Sequence, residues 1–241
     1  MDRRIYLSMG GAKATMQRQE TLANNLANVS TVGFRAELQA FRAVPVRGDG
    51  ATTRAYALET TTGYNPNQGP MTTTGRNLDV ALQGNGWLAV QALDGTEAYT
   101  RAGSLQVSNE GVLVGHNGLP VLGDGGPITL PANAEVTVGQ DGTISARSAT
   151  GGNTPVGKLK LVTPQDKLQR GDDGLFRATG GDLPADPNAR LQSGALEGSN
   201  VSAIETMVSM ISAARQFEAQ MKSMQTAEQD ERAAAQLLSL G

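Results

Sequence analysis

Two end segments with helical periodicity enclose a middle region of closely spaced turns, and this contrast limits the possible folds more than any other feature. Asx-Gly pairs recur through the middle, with short apolar runs between them. Because both residues of such a pair tolerate positive φ, the pairs favour β-hairpin turns. The pairs are Asn85-Gly86, Asp94-Gly95, Asn117-Gly118, Asp124-Gly125, Asp141-Gly142 and Asp173-Gly174. We therefore predict one all-β domain over residues 76–185.

The N-terminal segment places apolar or small residues at two positions of a seven-residue repeat. This spacing is typical of a helix that packs lengthwise against other helices. The predicted contact residues are Ile5, Met9, Ala12, Met16, Ala23 and Leu26. Asp2 is a suitable N-cap, and Asn28 and Gly33 are suitable end signals. We predict a helix and its exit turn within residues 1–34.

The C-terminal segment carries the same repeat with fewer interruptions. Ser202 and Glu205 fit a capping box, in which each side chain satisfies a backbone donor at the helix start. The predicted contact residues are Met207, Met210, Ala214, Phe217, Met221, Met224 and Leu238. A helix from about 203 to 238, within a segment of residues 202–241, would be roughly 54 Å long. A small domain alone would not cover a helix of that length.

Two polar stretches join the helices to the β domain. Residues 45–75 are rich in Gly, Thr, Pro and Asn, and we predict an extended connector over residues 35–75. Residues 186–201 form a second connector. The predicted fold class is α+β, with long N- and C-terminal helices packing as a coiled-coil-like pair around an all-β middle domain.

Composition and charge exclude several classes of protein. The chain has no cysteine, which removes disulfides, thiol nucleophiles and cysteine-based metal sites. Its net charge is −3 and it has no basic block, so we expect no nucleic-acid binding. It has no apolar run long enough to cross a bilayer, and its first 30 residues lack the apolar stretch of a cleavable signal peptide.

The charges are unevenly distributed between the two ends. Residues 1–35 carry five basic and two acidic groups, whereas residues 197–241 carry six acidic and three basic groups. The terminal segments are therefore electrostatically complementary. Surface charge of this kind contributes modestly and is screened by salt.

No motif in the sequence indicates catalysis or a cofactor. His116 is the single histidine, and with no acid or nucleophile beside it we interpret it as a turn residue. Residues 84–86 and 123–125 resemble fragments of phosphate loops but complete neither a dinucleotide fingerprint nor a P-loop. Residues 172–174 lack the surroundings of a calcium loop. We expect no catalytic, cofactor-binding or metal-binding residue.

Residues 24–34 closely resemble the N-terminal signature of the flagellar basal-body rod and hook protein family. The signature residues are Asn24, Asn25, Leu26, Ala27, Asn28, Gly33 and Phe34. The resemblance continues in the family's order through residues 77–87, 99–105, 118–123 and 192–201. It thus covers most of the chain.

Within the family, residues 1–6, 33–46 and 217–222 look most like the proximal rod type. Distal rod members tend to carry a basic, Ser/Arg-rich stretch where this chain has residues 36–40, and hook proteins have an additional outer domain that 241 residues cannot hold. The resemblance implies a non-enzymatic structural subunit that polymerises through its terminal helices as part of the periplasmic drive shaft. A distal rod subunit is the nearest alternative.

The resemblance also implies partners and a location. The expected partners are other rod proteins, proximal and distal, and the flagellar type III export apparatus, with no nucleic acid and no membrane insertion. The expected location is the flagellar basal body, spanning the periplasm, reached without a cleavable signal peptide. Neither the missing signal nor the missing cysteine would establish that route alone.

Polymerisation requires a heterologous interface, in which one patch binds a different patch on the next subunit. The two terminal helices would supply such patches. Because an isolated helix leaves its apolar stripe in water, we expect the ends to be poorly ordered in the free subunit. A phage-tail or adhesin fibre subunit would share these features. A glycosidase with paired carboxylates is a further alternative, although most acidic residues lie in Asx-Gly turns or on the terminal segments.

Overall fold

The computed structural model describes residues 2–45, 55–131, 134–147 and 152–239. Within these residues it contains two long helices and eighteen short strands. The chain divides into two compact units. Unit 1 comprises Met1–Val29, Glu37–Tyr64 and Val201–Gly241, and unit 2 comprises Ser30–Ala36 and Asn65–Asn200. The mixture of two terminal helices and a β-rich middle confirms the α+β class.

Unit 1 contains both helices and a two-stranded ribbon. The helices are α1 (Asp2–Ala27) and α2 (Ala203–Ser239), and the strands are β1 (Glu37–Pro45) and β2 (Ala55–Tyr64). The strands pair antiparallel, with one irregularity between Leu38 and Ala40. The α1 helix packs along α2 and also contacts the ribbon.

The ribbon occupies much of residues 35–75, which the sequence predicts as an extended connector. The backbone there is extended, but β1 and β2 satisfy each other's N–H and C=O groups instead of leaving them to solvent. The Gly, Thr and Pro content of this stretch conceals the pairing. The part of this segment from Glu37 to Tyr64 belongs to unit 1, and the rest belongs to unit 2.

The helix ends follow local chemistry. Asn28 donates its backbone N–H to the carbonyl oxygen of Asn24 at 3.2 Å, directly after α1 ends. At the other terminal helix, Ser202 precedes the first residue of α2, and its Oγ accepts the backbone N–H of Glu205 at 3.4 Å. A side-chain oxygen at this position satisfies a donor that has no partner within the helix.

Unit 2 is built from short strands. They are β3 (Met71–Thr73), β4 (Val80–Leu82), β5 (Trp87–Gln91), β6 (Glu97–Thr100), β7 (Leu105–Val107), β8 (Leu113–Gly115), β9 (Leu122–Gly123), β10 (Gly126–Pro127), β11 (Glu135–Val138), β12 (Thr143–Arg147), β13 (Asn153–Lys158), β14 (Leu161–Val162), β15 (Gln169–Arg170), β16 (Phe176–Arg177), β17 (Leu191–Ser193) and β18 (Ala195–Glu197). They form a five-stranded sheet of order β14-β5-β6-β16-β15, a three-stranded sheet β11-β12-β13, and antiparallel pairs.

Four of the predicted Asx-Gly pairs close hairpins between consecutive strands: Asp124-Gly125 joins β9 to β10, and the other three each contain a glycine with positive φ. Gly95 lies between β5 and β6, Gly142 between β11 and β12, and Gly174 between β15 and β16. Each has a positive φ, from 77° to 83°. Because L side chains rarely adopt this conformation, glycine permits these turns at low cost. The hairpin interpretation of these pairs is confirmed.

The core of unit 2 is aliphatic, as the low aromatic content requires. Its fully buried side chains come from strands, and from residues beside them, throughout the unit; they include Val80, Leu82, Leu88, Val90, Leu105, Leu113, Val121, Ile144, Leu159, Leu161 and Leu191. Two of the antiparallel pairs, β4–β17 and β3–β18, join the beginning of the unit to its end. Residues 186–201, predicted as a connector, therefore contain two strands that help close the unit.

Candidate functional site: an assembly interface

The buried residues of the terminal helices are small or polar. Among the described helix residues they are Ser8, Ala12, Thr15, Asn25, Thr206 and Ala213. The two helices approach closely at such positions. The Ser8 and Ser223 hydroxyls lie 3.2 Å apart, and a Cβ on Gly11 would lie 3.1 Å from Cδ of Gln220. The fully buried positions of the α1–α2 packing are therefore small or polar, and the large apolar side chains described on the two helices are at most half-buried.

The larger apolar side chains of α2 face solvent near its start. Ile204, Met207, Val208 and Ile211 are 79%, 50%, 62% and 56% exposed. Their i, i+3, i+4, i+7 spacing places them on one face of the helix. We call these four residues the α2 patch. A contiguous exposed apolar surface of this kind marks an interaction site more often than scattered single residues do.

A second exposed set lies on α1. Tyr6, Met9 and Met16 are each more than half exposed, and their spacing also places them on one helix face. We call these three residues the α1 patch. The outward faces of the helix pair are thus more apolar than the positions that its packing buries.

The structure distributes the predicted contact residues over several environments. Ala12 is buried, and Ile5, Leu26, Met210, Ala214, Phe217 and Met224 are half-buried. Met9, Met16, Ala23, Met207 and Met221 are exposed. The side chain of Leu238 lies outside the described part of the chain. The seven-residue repeat led us to a single stripe per helix, so it missed Tyr6, Ile204, Val208 and Ile211, whose helical spacing was nevertheless readable in the sequence.

The signature asparagines fix the end of α1 to the start of β1. The Asn25 side chain is buried, and its Nδ2 donates to the carbonyl oxygen of Glu37 at 3.0 Å while its Oδ1 accepts the Glu37 N–H at 2.8 Å. Asn24 Nδ2 donates to Glu37 Oε2 at 3.0 Å, and Asn28 Nδ2 donates to the Asn24 carbonyl at 2.9 Å. A side-chain amide can replace a strand neighbour in this way because it offers both a donor and an acceptor.

Gly33 and Phe34, the last two signature residues, lie inside unit 2. Gly33 has φ 69°, and its N–H donates to the backbone oxygen of Glu197 at 2.7 Å. A Cβ on Gly33 would lie 2.3 Å from the carbonyl carbon of Arg101, so only glycine fits. Phe34 is buried, and the Arg170 guanidinium lies 4.5 Å from its ring centroid, a cation–π contact. Of the other signature residues, Leu26 is half-buried and Ala27 is exposed.

Two arginines and one glutamate form a fully buried ionic cluster in unit 2. Arg35, Arg101 and Glu197 have side chains only 2%, 1% and 0% exposed. Glu197 Oε1 lies 2.7 Å from Arg35 Nη1, and Glu197 Oε2 lies 2.6 Å from Arg101 Nη2 and 2.7 Å from its Nε. We call these three residues the ionic cluster.

The surrounding backbone satisfies much of the remaining hydrogen-bonding capacity of the cluster. Arg101 donates to the carbonyl oxygens of Leu82 at 2.8 Å, Gly84 at 2.9 Å and Gly86 at 2.6 Å. The Gly69 N–H donates to Glu197 Oε1 at 3.0 Å. Removing one partner of such a buried pair costs about 3–5 kcal/mol, because it leaves an uncompensated charge.

Sequence reasoning did not single out the ionic cluster. Its three residues lie inside or beside the segments that resemble the family, but most charged residues in any sequence are solvent-exposed. Nothing local distinguishes Arg35 or Glu197 from an exposed charge. The cluster is visible only when segments far apart in the chain are brought together.

The residues considered for catalysis or calcium binding, His116 and Asp173, lie in surface turns. His116 is exposed in its turn, and Asp173 accepts hydrogen bonds from Arg177, which lies 2.8 Å away at the closest atoms. Within the described residues, no three His, Asp or Glu side chains are arranged to hold a metal ion. Neither α1 nor α2 contains, over its described length, an apolar stretch suited to crossing a bilayer.

Three family models match the chain in the order of its segments. Residues 5–35 match the flagella basal body rod protein model, residues 81–146 match the flagellar hook protein FlgE/F/G D1 domain, and residues 192–237 match the flagellar basal body rod FlgEFG protein C-terminal model. The first covers the signature segment. The third covers β17 from its second residue, all of β18 and most of α2.

Curated relatives match over the full length. The chain is 50% identical to the flagellar basal-body rod protein FlgF of Salmonella typhimurium and to that of Escherichia coli, with all of this chain and all of each relative covered. It is 32% identical to the flagellar basal-body rod protein FlgG of Bacillus subtilis, covering 95% of this chain and 96% of the relative. The similarity to the FlgF relatives is thus greater than to this FlgG.

Proposed function

This chain belongs to the flagellar basal-body rod protein family, and we propose that it is a structural subunit of the proximal rod. The observation that carries the proposal is the end-to-end match to rod proteins named FlgF, which is stronger than the match to those named FlgG. As a member of this family the chain is a structural protein of the rod, and its partners are other rod components. The proximal position is supported by the greater likeness to the FlgF relatives.

The mechanism we propose is polymerisation through the outward faces of the two terminal helices. The α1 patch and the α2 patch differ in composition, so joining one to the other in successive subunits would give a heterologous interface, which builds an open helical filament where the rotation between subunits does not close. Fully burying a Val, Ile or Met side chain contributes about 1.5–3 kcal/mol. The α2 patch alone therefore offers enough apolar surface to offset part of the cost of association.

Charge supports the same pairing. The exposed charges described on α1 are Lys13 and Arg18 against Glu20, whereas those on α2 are Glu205, Glu218, Glu228 and Asp230 against Arg215, Lys222 and Arg232. An α1 patch that meets the α2 helix of a neighbour would bring opposite charges together. Exposed pairs contribute about 0.2–1 kcal/mol each and are screened by salt, so they would favour one orientation more than they add affinity.

We also propose how the helices pack in the rod, how the subunit is exported and where the rod lies. The assembled helices would form coiled-coil-like contacts, the subunit would leave the cytoplasm through the flagellar type III export apparatus, and the rod would span the periplasm. The subunit would bind neither nucleic acid nor a cofactor and would catalyse no reaction. The exposed helix faces, the net charge of −3 and the absence of cysteine support these proposals.

A substitution in the α2 patch tests the interface. Ile211→Asp should prevent incorporation into basal bodies, because the new carboxylate would be buried without a partner in the assembled rod. Ser212→Asp is the matched control, since Ser212 is an exposed polar residue next to Ile211. Immunodetection of the subunit in purified basal bodies gives the readout. Equal incorporation of both variants would refute the proposed interface.

Cysteine crosslinking distinguishes the proximal from the distal rod. The cysteine-free background allows Met16→Cys and Ile211→Cys, one on each patch, to be introduced without competing thiols. Oxidised rods of a proximal subunit should give crosslinks mainly to other rod proteins when one of those carries a partner cysteine. Long ladders of self-crosslinked multimers would instead indicate the many turns of a distal rod.

A further inference from the structure

Glu197 forms bonds with residues from several distant segments of unit 2. Its carboxylate binds Arg35 and Arg101, its Oε1 also accepts the Gly69 N–H, and its backbone oxygen accepts the Gly33 N–H at 2.7 Å. One residue near the end of the unit is thus bonded to three segments that precede it. Because the side chain has no exposure, these bonds form only when unit 2 is closed.

Both arginines precede Glu197 by a long stretch of chain. Glu197 follows Arg101 by 96 residues, and all five strands of the largest sheet lie before it in the sequence. Arginine stays protonated at any accessible pH, so it cannot neutralise itself when it is buried. A chain without Glu197 in place would therefore have to bury two permanent cations with no carboxylate between them.

The backbone pairing makes β3 and β4, though not β5 and β6, depend directly on the same late segment. β3 pairs with β18, and β4 pairs with β17, so both early strands obtain these partners only from residues 191–197. Val80, Ala81 and Leu82 of β4 are fully buried, so this strand is part of the interior and not an edge that tolerates solvent. Unpaired backbone groups in such a place are costly, and loop closure over this distance must precede any stabilisation that it brings.

We propose that Glu197 is the closing residue of unit 2, whose earlier segments acquire stable structure only when residues 191–197 arrive. A chain that emerges N-terminus first, during synthesis or during passage through a channel, then keeps this unit unfolded until it is almost complete. Premature folding of the β5–β6 hairpin with its neighbours is prevented by Arg101, which lies directly after β6 and must remain solvated. This delayed folding of unit 2 needs no partner protein and is independent of the proposed rod function.

Refolding of the full-length protein tests the order of events. The chain is unfolded in urea and diluted, and pulsed hydrogen–deuterium exchange with mass spectrometry follows protection of each segment. We expect residues 87–100, which hold β5 and β6, to become protected in the same kinetic phase as residues 191–197. Protection of residues 87–100 in an earlier phase would overturn the proposal.

A charge-removing variant tests the role of the carboxylate. Glu197→Gln keeps the side-chain size but removes the charge that compensates both arginines, and we expect it to slow protection of residues 87–100 by about tenfold or more, or to leave unit 2 unfolded. Glu205→Gln is the control, because Glu205 is exposed in the first turn of α2. Refolding of Glu197→Gln at the rate of the control would overturn the assignment of Glu197.

A neutral variant separates timing from stability. Arg35→Met, Arg101→Met and Glu197→Met together replace the ionic cluster with apolar side chains, an exchange that buried ion pairs often tolerate. Because this variant has no arginine that must be paired before it is buried, residues 87–100 should become protected from hydrogen exchange before residues 191–197. If this variant folds and the two segments still become protected together, the charges do not set the order and the proposal is wrong.

Discussion

Replacing Gly33 with alanine should destabilise unit 2 strongly, because two separate costs act at this position. Gly33 has φ 69°, and a non-glycine residue in the left-handed region costs about 1–2 kcal/mol. The new Cβ would also lie 2.3 Å from the carbonyl carbon of Arg101 and 2.4 Å from the Ala102 nitrogen, so the backbone must move. Steric overpacking of this kind costs about 1–3 kcal/mol. The expected total is about 2–5 kcal/mol.

Gly75→Ala is the matched control for this experiment. Gly75 has nearly the same φ, 73°, but a Cβ there would meet no atom within 4 Å. The control therefore carries the conformational cost without the steric one. The difference between the two variants isolates the close approach of Gly33 to the backbone at Arg101, the residue whose side chain belongs to the ionic cluster.

Trp87 provides the assay. It is the single tryptophan, it lies in β5 of unit 2, and it is buried 4.7 Å from the Phe176 ring. Its fluorescence during urea unfolding of the full-length protein therefore reports on unit 2. With an m-value of about 2 kcal/mol/M, Gly33→Ala should unfold at a urea concentration about 1 M below that of Gly75→Ala. Equal midpoints would show that the backbone contact at Gly33 contributes nothing to stability.

Three further predictions follow from other regions. Limited proteolysis of the free subunit should cut outside residues 65–200 first, because the helix pair buries mainly small side chains; early cuts inside that range would contradict this. Hydrogen bonds from Arg177 lower the pKa of Asp173 below 3.8, so its carboxylate stabilises the fold above about pH 4 and the effect fades as the pH falls through the lowered pKa. At pH 7 Asp173→Asn should therefore unfold at a slightly lower urea concentration than wild type, with a free energy of unfolding lower by under about 1 kcal/mol because the pair is so exposed. At about pH 2 the two proteins should unfold at the same urea concentration. An equal difference at both pH values would show that the Asp173 carboxylate is not the cause. His116→Ala should change stability by less than about 0.5 kcal/mol and leave motility intact, and a non-motile strain with folded protein would contradict the turn assignment.

The buried face of each terminal helix was only partly predictable. On α1 the buried described residues are Ser8, Ala12, Thr15 and Asn25, so Ala12 is the one member of the repeat that the helix pair buries, whereas Met9 and Met16 are exposed and stay predicted contacts with another subunit. Successive residues on a helix differ by about 100° in direction, so a shift of one position turns the apolar stripe away from the partner helix. Close approach at Gly11 selects the small side chains for the inner face, and this choice depends on Gln220 across the pair.

Local sequence determined the parts of this protein whose energetics are local. The helical repeats, the Ser202 cap and the Asx-Gly turns each depend on residues within a few positions of one another, and the structure has a helix or a hairpin at those places. The pairing of β1 with β2 was hidden because β2 is rich in Thr and lacks a regular apolar alternation, so nothing local marks it as the partner of β1. Their stability depends on the partner strand and on α1 more than on their own composition.

Only the tertiary structure decided which charges are buried and which distant strands meet. Arg35, Arg101 and Glu197 read as ordinary surface charges until the fold brings them within 2.7 Å, because the cost of burying a charge is set by its partner and not by its neighbours in the chain. The β3–β18 and β4–β17 pairs arise in the same way, from segments at opposite ends of unit 2. Sequence alone therefore determined the helical ends, the hairpin turns and the resemblance to the rod family. The closure of unit 2 depends on contacts between distant segments, and for that reason only the folded structure revealed it.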